Sequence, residues 1–388
     1  MRPCRNRRGF LQLAGASVLA PSLATSSRAA RAAAPNPSSP VGIARCRGYD
    51  SAAVLRELEG LMDRLGGLRP LVEGKTVAVK VNLVGDVRQD FSGKPANRTY
   101  QVHPAVVLAV AALLDRAGAR RVRFLESTHQ TRPFEPYLRD AGWDLNALTA
   151  FKTPVEFEDT RNLGKRKNYQ EVKVPWGGSL FPAYHINPAY LDCDVYVSLA
   201  KLKNHATAGV TLGMKNNFGV TPIALYGQSE QKEDSTSSRA MFHSGRGGPA
   251  AGLPQELSKE TPRRPSYRVP RHILDAVGIR PIDLLIIDGI ETVSGGEGPW
   301  VGGDFKVQEP GLLLAGRNAV CTDAVATAVM GYDPTAAPAT GPFPGDNHLN
   351  FAAELGLGTN DPKQIEVVGL PISDARHRFG WEPRQRNT

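Results

Sequence analysis

A chain of 388 residues with 41% hydrophobic and 22% charged residues has the composition of an ordinary globular protein, and its length allows one large domain or two average ones. No apolar run is long enough to span a bilayer as a helix. The formal charge of +9 looks like a nucleic-acid signal, but six arginines and no acid fall within residues 1–34. Without them the chain carries +3, a balance with no basic face demanding DNA or RNA.

The N-terminus accounts for the excess. Asn6-Arg7-Arg8-Gly9-Phe10-Leu11 precedes a mildly apolar stretch ending at Ala24 and a tail of small residues. This resembles a twin-arginine export signal, with Asn where Ser or Thr is commoner and cleavage between Ala24 and Ala34. It implies the twin-arginine translocase as a partner and a periplasmic or extracellular destination. Because that route carries folded proteins, it also weakly favours a bound metal or organic group. Cys4 leaves with the signal, and Cys46, Cys193 and Cys321 form an odd set without a Cys-x-x-Cys pair. No iron–sulfur cluster is therefore expected within the chain.

From Val41 strand and helix alternate. Ser51 to Leu65 has helical apolar spacing with Ser51 as its cap. Lys75 to Leu83 predicts a strand with Lys80 and Asn82 at its carboxyl end, and a polar loop then leads to a helix over Ala105 to Ala117. Arg121 to Leu125 returns as a strand ending in Glu126-Ser127-Thr128-His129. Strand, crossover helix and strand form a βαβ unit, so a mainly parallel sheet is the economical expectation. The pattern then weakens: a short helix at Glu135 to Ala141, short strands at Phe151 to Phe157 and Val172 to Val174, and a Pro/Gly patch from Pro175 to Pro188. A strand follows from Val195 to Leu199. Tyr226 to Pro270 is polar and aperiodic, and reads equally as a mobile lid or a disordered insert.

The last third recovers the alternation. It predicts a helix at Arg271 to Val277, a buried strand at Ile282 to Ile287 and a glycine-rich loop at Ser294 to Pro299, extended by Gly302, Gly303 and Asp304. A strand at Leu312 to Ala315, helices at Ala319 to Met330 and Leu349 to Leu355, and a strand at Ile365 to Val368 close the domain, with a frayed tail over 377–388. The expected fold is a single α/β domain over residues 41–376. A mainly parallel sheet is flanked by helices, and the polar insert 226–270 projects from it. The alternative is two α/β lobes hinged near residues 175–190.

Ligands in open α/β sheets bind beyond the carboxyl ends of the strands, and the chemically informative residues gather there. The stretch Tyr196 to Pro222 is the richest. Lys201, Lys203, Asn204, His205, Lys215, Asn216 and Asn217 alternate with Gly, Ala, Val and Met instead of with acids. Ammonium and amide donors suit an anion, and Gly209, Gly213 and Gly219 let the backbone approach one closely. Strand alternation puts Lys201 and Lys203 on one face, with Glu126, Asp288 or Glu291 as their partner in the empty protein. Asp288, Glu291 and Asp323 are candidate ligands for a divalent cation, with Glu297 as a further one. The plainer reading makes Asp288 a turn cap and Asp323 a helix-terminal charge. His205 is the candidate acid–base residue, kept neutral by the lysines around it.

Lys201-Leu-Lys203-Asn-His205, Thr211-Leu-Gly-Met-Lys215-Asn216-Asn217-Phe-Gly219 and Asp288-Gly289-Ile290, with Glu297-Gly298-Pro299, resemble the family called domain of unknown function 362. So does Ala315-Gly-Arg-Asn-Ala-Val-Cys-Thr-Asp323, with Met330-Gly331-Tyr-Asp333-Pro334. The likeness covers roughly Lys75 to Gly369 in the family's order. Many relatives carry ferredoxin-type cysteines that this chain lacks, so an electron-transfer role does not carry over. A more distant likeness in domain shape is to nickel-dependent hydroxyacid racemases, as analogy.

Two functions follow. The first is a metal-assisted enzyme on a small carboxylate or phosphate ester. Lys80, Asn82, Lys201, Lys203, Lys215, Asn216 and Asn217 bind the anion, Asp288, Glu291 and Asp323 hold the metal, and His205 moves a proton. The second is a non-catalytic binding protein for an anionic ligand or a metal. An enzyme requires acidic and basic groups in one cleft, whereas a binder requires only the cationic half.

Overall fold

Eight segments with β-branched or alternating apolar patterns pair into one sheet: β1 Val41–Arg45, β2 Thr76–Lys80, β3 Arg121–Glu126, β4 Val155–Asp159, β5 Val195–Lys201, β6 Leu284–Gly289, β7 Leu312–Gly316 and β8 Val367–Gly369. Their order across the sheet is β8-β1-β7-β6-β5-β2-β3-β4. Every neighbouring pair from β6 to β4 is parallel, and β7 alone runs against its neighbours β6 and β1. This computed structural model describes residues 36–128, 132–161, 168–227, 239–249, 251–258, 263–264, 266–301 and 305–383. The export signal expected over residues 1–34, His129, the 302–304 extension of the glycine-rich loop and residues 384–388 lie outside them.

The reversal of β7 has a local cause. A parallel return needs a crossover long enough to traverse the sheet. Between β6 and β7 the chain instead makes a two-stranded antiparallel ribbon, Thr292–Ser294 against Lys306–Gln308, which brings it back beside β6 in the opposite sense. The expected mainly parallel α/β sheet with flanking helices is therefore the observed one, with a single reversed strand. The two-lobed alternative is overturned. The described residues from Asn36 onward form one compact unit, and β5 beyond the Pro/Gly patch lies in the middle of the sheet between β6 and β2.

The sheet separates two cores. Helices α1 Ser51–Arg64 and α2 Pro104–Arg116 pack on one face, where Val54, Leu58 and Leu61 meet Val77, Val79, Val195, Val197 and Leu199. Asp50, not Ser51, caps α1, its carboxylate accepting from the Ala53 N–H at 2.9 Å. Helices α3 Leu212–Asn216, α4 Ala240–Ser244, α5 Arg268–Ile279, α6 Ala319–Val329 and α7 His348–Glu354 lie toward the other face. There Met214, Phe242, Ile273 and Val325 share a core with Ala78, Tyr196, Ala200, Leu285 and Ile287. Part of the polar 226–270 segment is thus built in: Met241 and Phe242 are fully buried, and the Phe242 ring stacks on His272 at 3.8 Å. No helix among the described residues is long and apolar enough to cross a membrane.

Alternation along the strands decides which polar residues meet. On β5, Lys201 shares its face with Val195, Val197 and Leu199, the side of α1 and α2. On β2, Lys80 shares its face with Ala78, the side of α3. The two lysines therefore leave the sheet in opposite directions.

A buried anion-sized cavity beside two separate charge clusters

After Lys201 the chain makes a tight antiparallel turn, Asn204–His205 against Gly209–Val210, and enters α3. The Asp323 carboxylate on α6 accepts the Gly213 and Met214 N–H groups, both at 2.8 Å, closing the start of that short helix. A Cβ on Gly213 would lie 2.3 Å from Leu285, so the helix can sit this close to the sheet only with glycine there. This seating carries Lys215, Asn216 and Gly219 over the end of β2, where a Cβ on Gly219 would fall 2.8 Å from Lys80 Cε.

The end of β2 and the end of β3 bring Lys80 and Glu126 together. Lys80 Nζ donates to Glu126 Oε1 at 2.5 Å and to the Val81 carbonyl at 2.7 Å. Glu126 also accepts the N–H groups of Leu83 at 3.0 Å and Ser127 at 2.8 Å. Asn216 Nδ2 faces the carbonyls of Lys80 and Leu199, at 3.3 and 3.4 Å, and donates to Ser198 Oγ at 3.0 Å. Carbonyls only accept, so they fix the Asn216 amide. Its Oδ1 must then accept from Asn82 Nδ2 at 3.0 Å, which leaves Asn82 Oδ1 as a buried acceptor with no partner among the described residues. Ser127 Oγ and Thr211 Oγ1 are buried and unpartnered in the same sense.

All three oxygen-bearing residues border one cavity of about 320 Å³, with Lys80, Lys215 and Asn216 among its other walls. Lys215 Nζ sits 3.8 Å from the centre of the Phe218 ring and has no hydrogen-bond partner among the described residues. Burial, with Arg239 and Lys80 nearby, lowers its pKa to about 8 against the pull of Glu297. Arg239 is anchored by the Thr221 and Gly219 carbonyls, at 2.5 and 2.9 Å. His243 Nδ1 lies 3.1 Å from the Arg239 carbonyl, so that nitrogen carries the proton and Nε2 keeps its lone pair. Burial and the Lys215 charge push His243 well below the usual histidine range, keeping it neutral.

Glu297 closes another side of the cavity with φ of +124°, a backbone region that costs a residue with a side chain about 1–3 kcal/mol. Burial opposes its ionisation, yet His205, Lys203 and Lys215 together hold its carboxyl well below the usual range. His205 is not on the cavity wall. Its Nδ1 accepts the Thr207 and Ala208 N–H groups, so the proton is on Nε2, 3.3 Å from Glu297 Oε1 but outside hydrogen-bond alignment. Its ring stacks on His243 with centroids 5.5 Å apart. His205 is neutral as expected, with a pKa lowered to about 4, but burial is the main cause and the lysines are secondary.

The remaining expected site residues lie elsewhere. Lys201 and Asp288 stand opposite each other in the β5–β6 register and pair at 2.9 Å, fully buried. The Tyr49 hydroxyl bridges them: Lys201 Nζ lies 3.1 Å from it, and it donates to Asp288 Oδ1 at 3.0 Å. The carboxylate also accepts the His103 N–H at 3.0 Å and the Ile290 N–H at 3.2 Å. Asp288 is therefore the partner expected for a lysine of the motif. Lys203, past the strand end, departs from the alternation and donates to the Tyr100 carbonyl at 2.8 Å; burial lowers its pKa to about 7. Asn217 ties Tyr196 to the carbonyls of Ala276 and Arg280. Glu291 pairs with Lys94 and Arg98, and Asp323 caps α3. Asp288, Glu291 and Asp323 do not converge, and no three His, Cys, Asp or Glu side chains among the described residues gather as a metal site.

Of the expected anion ligands, Lys80, Asn82, Lys215 and Asn216 line the cavity; Lys201, Lys203 and Asn217 do not. Ser127, Thr211, Arg239, His243 and Trp300 were missed as site residues. Arg239 and His243 lie in the aperiodic segment, where no sequence pattern points inward. Trp300 covers Gly85 and Gly298, where an added Cβ would come within 2.3 and 2.1 Å of its ring, and packs edge-on to Tyr100.

Thylakoid-associated protein sll1697 of Synechocystis sp. is 28% identical over 338 residues, 87% of this chain and 84% of that protein. The lactate racemase apoprotein of Thermoanaerobacterium thermosaccharolyticum superposes with a TM-score of 0.35 at 15% identity. That match covers 66% of this chain and 50% of the racemase, a likeness too slight to transfer chemistry. Residues 77–328, from β2 to the end of α6 and so including every wall of the cavity, match the domain of unknown function DUF362, and the chain belongs to that family.

Proposed function

We propose that the cavity binds a small organic anion and that the protein acts on it as an enzyme. One observation carries the binding half: the buried Lys215 ammonium borders the cavity with no hydrogen-bond partner among the described residues, and an anion is what completes it. The formal charges on the walls balance, Lys80, Lys215 and Arg239 against Asp86, Glu126 and Glu297. Lys80 is paired with Glu126, however, and Glu297 faces a set that also includes Lys203, whereas Lys215 and the carbonyl-anchored Arg239 have no carboxylate in ion-pair contact among the described residues and can turn to a ligand. A volume near 320 Å³ suits a metabolite-sized molecule and is too small for a polymer.

The catalytic half is favoured over passive binding because acidic and basic groups face one space. Glu126, Glu297, Lys215 and the neutral His243 all border the cavity, which supplies both a proton donor and a proton acceptor to one bound molecule. No step is assigned to a metal, since Asp288, Glu291 and Asp323 are each engaged at separate places. Isothermal calorimetry with phosphate and with two- to four-carbon carboxylates tests the reading. Binding by the native chain that is lost in Lys215→Met supports it; no binding of any of these anions refutes it. The paired Arg7 and Arg8 support export through the twin-arginine translocase to the periplasm or exterior. Unchanged fractionation of Arg7→Lys/Arg8→Lys would sink that part.

A further inference from the structure

The three oxygens around the cavity that have no partner among the described residues ask for more than a bare anion. Asn82 Oδ1 can only accept, its amide being fixed through Asn216, so a carboxylate or phosphate dianion cannot satisfy it. A donor group on the occupant would satisfy it. A hydroxyl group created within the site meets that need. Lys215 is placed to create one: it borders the cavity, and its nitrogen lacks a hydrogen-bond partner among the described residues and rests against an aromatic ring with other cationic groups close by. A lysine desolvated beside further cations is the arrangement that frees an amine to act as a nucleophile.

We propose that Lys215 forms an imine with its substrate, and that the substrate is a small anion bearing an aldehyde or ketone next to its carboxylate, of the 2-oxo acid class. This rests on the anion-binding reading of the same cavity. The free amine of Lys215 attacks the carbonyl carbon; the C–N bond forms as the carbonyl π pair moves to oxygen. A proton passes from nitrogen to that oxygen, giving a carbinolamine whose new hydroxyl supplies the donor Asn82 lacks. Protonation of the hydroxyl expels one water and leaves a C=N bond. Overall, amine, carbonyl and one proton give a protonated imine and water, with no oxidant or reductant consumed. Nitrogen is positively charged before the cycle and again in the protonated imine, so the attraction to the adjacent carboxylate persists. The proton carrier at hand is His243, whose ring packs 4.9 Å from the same Phe218 ring and whose Nε2 retains its lone pair. A pKa near 8 leaves a fraction of Lys215 as free amine at neutral pH.

The test uses the full chain with glyoxylate or pyruvate as the probe and cyanoborohydride to trap any imine, followed by intact mass and peptide mapping. The expected result is one adduct per chain on Lys215. It should form faster as pH rises through about 8 and be absent from Lys215→Arg, while a surface control, Lys306→Arg, labels normally. Calorimetry with phosphate is run alongside. Labelling spread over surface lysines, or none on Lys215, with phosphate still bound, overturns the imine and leaves the anion site standing. Loss of both overturns both. Should Lys215→Arg fail to fold, the mapped position and pH profile of the adduct on the native chain decide the matter alone.

Discussion

Replacing Lys201 by Met separates its structural burden from any ligand role. Lys201 Nζ lies 2.9 Å from Asp288 with both side chains fully buried. At an effective dielectric of 20 the Coulomb term at that distance is about 6 kcal/mol, much of it offset by the cost of dehydrating both ions. Met matches the stem's volume but leaves Asp288 with only neutral donors, Tyr49, His103 N–H and Ile290 N–H. Breaking a buried pair in this way costs about 3–5 kcal/mol, because one charge stays behind unpaired. Urea unfolding should show the extrapolated stability falling by that amount and the midpoint falling by that amount divided by an unchanged slope. The double variant Lys201→Met/Asp288→Asn should recover a large part of the loss, since no uncompensated charge then remains. Folded Lys201→Met should bind the cavity's anion as the native chain does. A loss below about 1 kcal/mol, the value of an exposed pair, would refute the buried-pair argument. So would a double variant no better than the single one. Abolished anion binding in the folded variant would return Lys201 to the site.

Lys203 gives a pH prediction of definite sign. Its folded pKa, about 7, lies below the ordinary lysine value, so between about pH 7 and 10 the unfolded chain binds more protons and stability rises with pH. Lys203→Met should reduce that slope, by at most about 1.4 kcal/mol per pH unit from this one group; an unchanged slope in urea titrations would contradict the buried-amine reading. Anion binding to the protonated Lys215 should weaken as pH rises through about 8, opposite to the imine adduct, and a pH-independent affinity would argue that Lys215 is not the anchor. Gly85→Ala should dislodge Trp300, since the new methyl meets the indole and Gly85 has φ of +72°. The expected readout is a red-shifted tryptophan emission with weaker anion binding, and an unaltered spectrum would remove Trp300 from the wall.

Local patterns in the chain were enough for the architecture. Strand-length apolar runs separated by a helix-length apolar run at Ala105 to Ala117 specify a βαβ unit, because a parallel return needs a crossover and an apolar helix needs a sheet to cover. The same logic missed the reversed β7, where a short ribbon replaced the crossover. It also misplaced Lys201 and Lys203 as a pair: alternation holds only while the strand lasts, and β5 ends at Lys201. Lys80, Asn82, Lys215 and Asn216 were legible as site residues because polar side chains at strand ends and beside glycines are conspicuous locally. Arg239, His243 and Trp300 were not, because nothing in their own neighbourhoods says which way they face. That choice belongs to the tertiary fold. A side chain's direction is set by the parity of its strand, by the seat of its helix and by the neighbours that exclude water from it. Lys201 at its strand end meets a carboxylate, Lys203 just past that strand meets a carbonyl, and Lys215 on its short helix borders the cavity, although all three stand in similar local sequence.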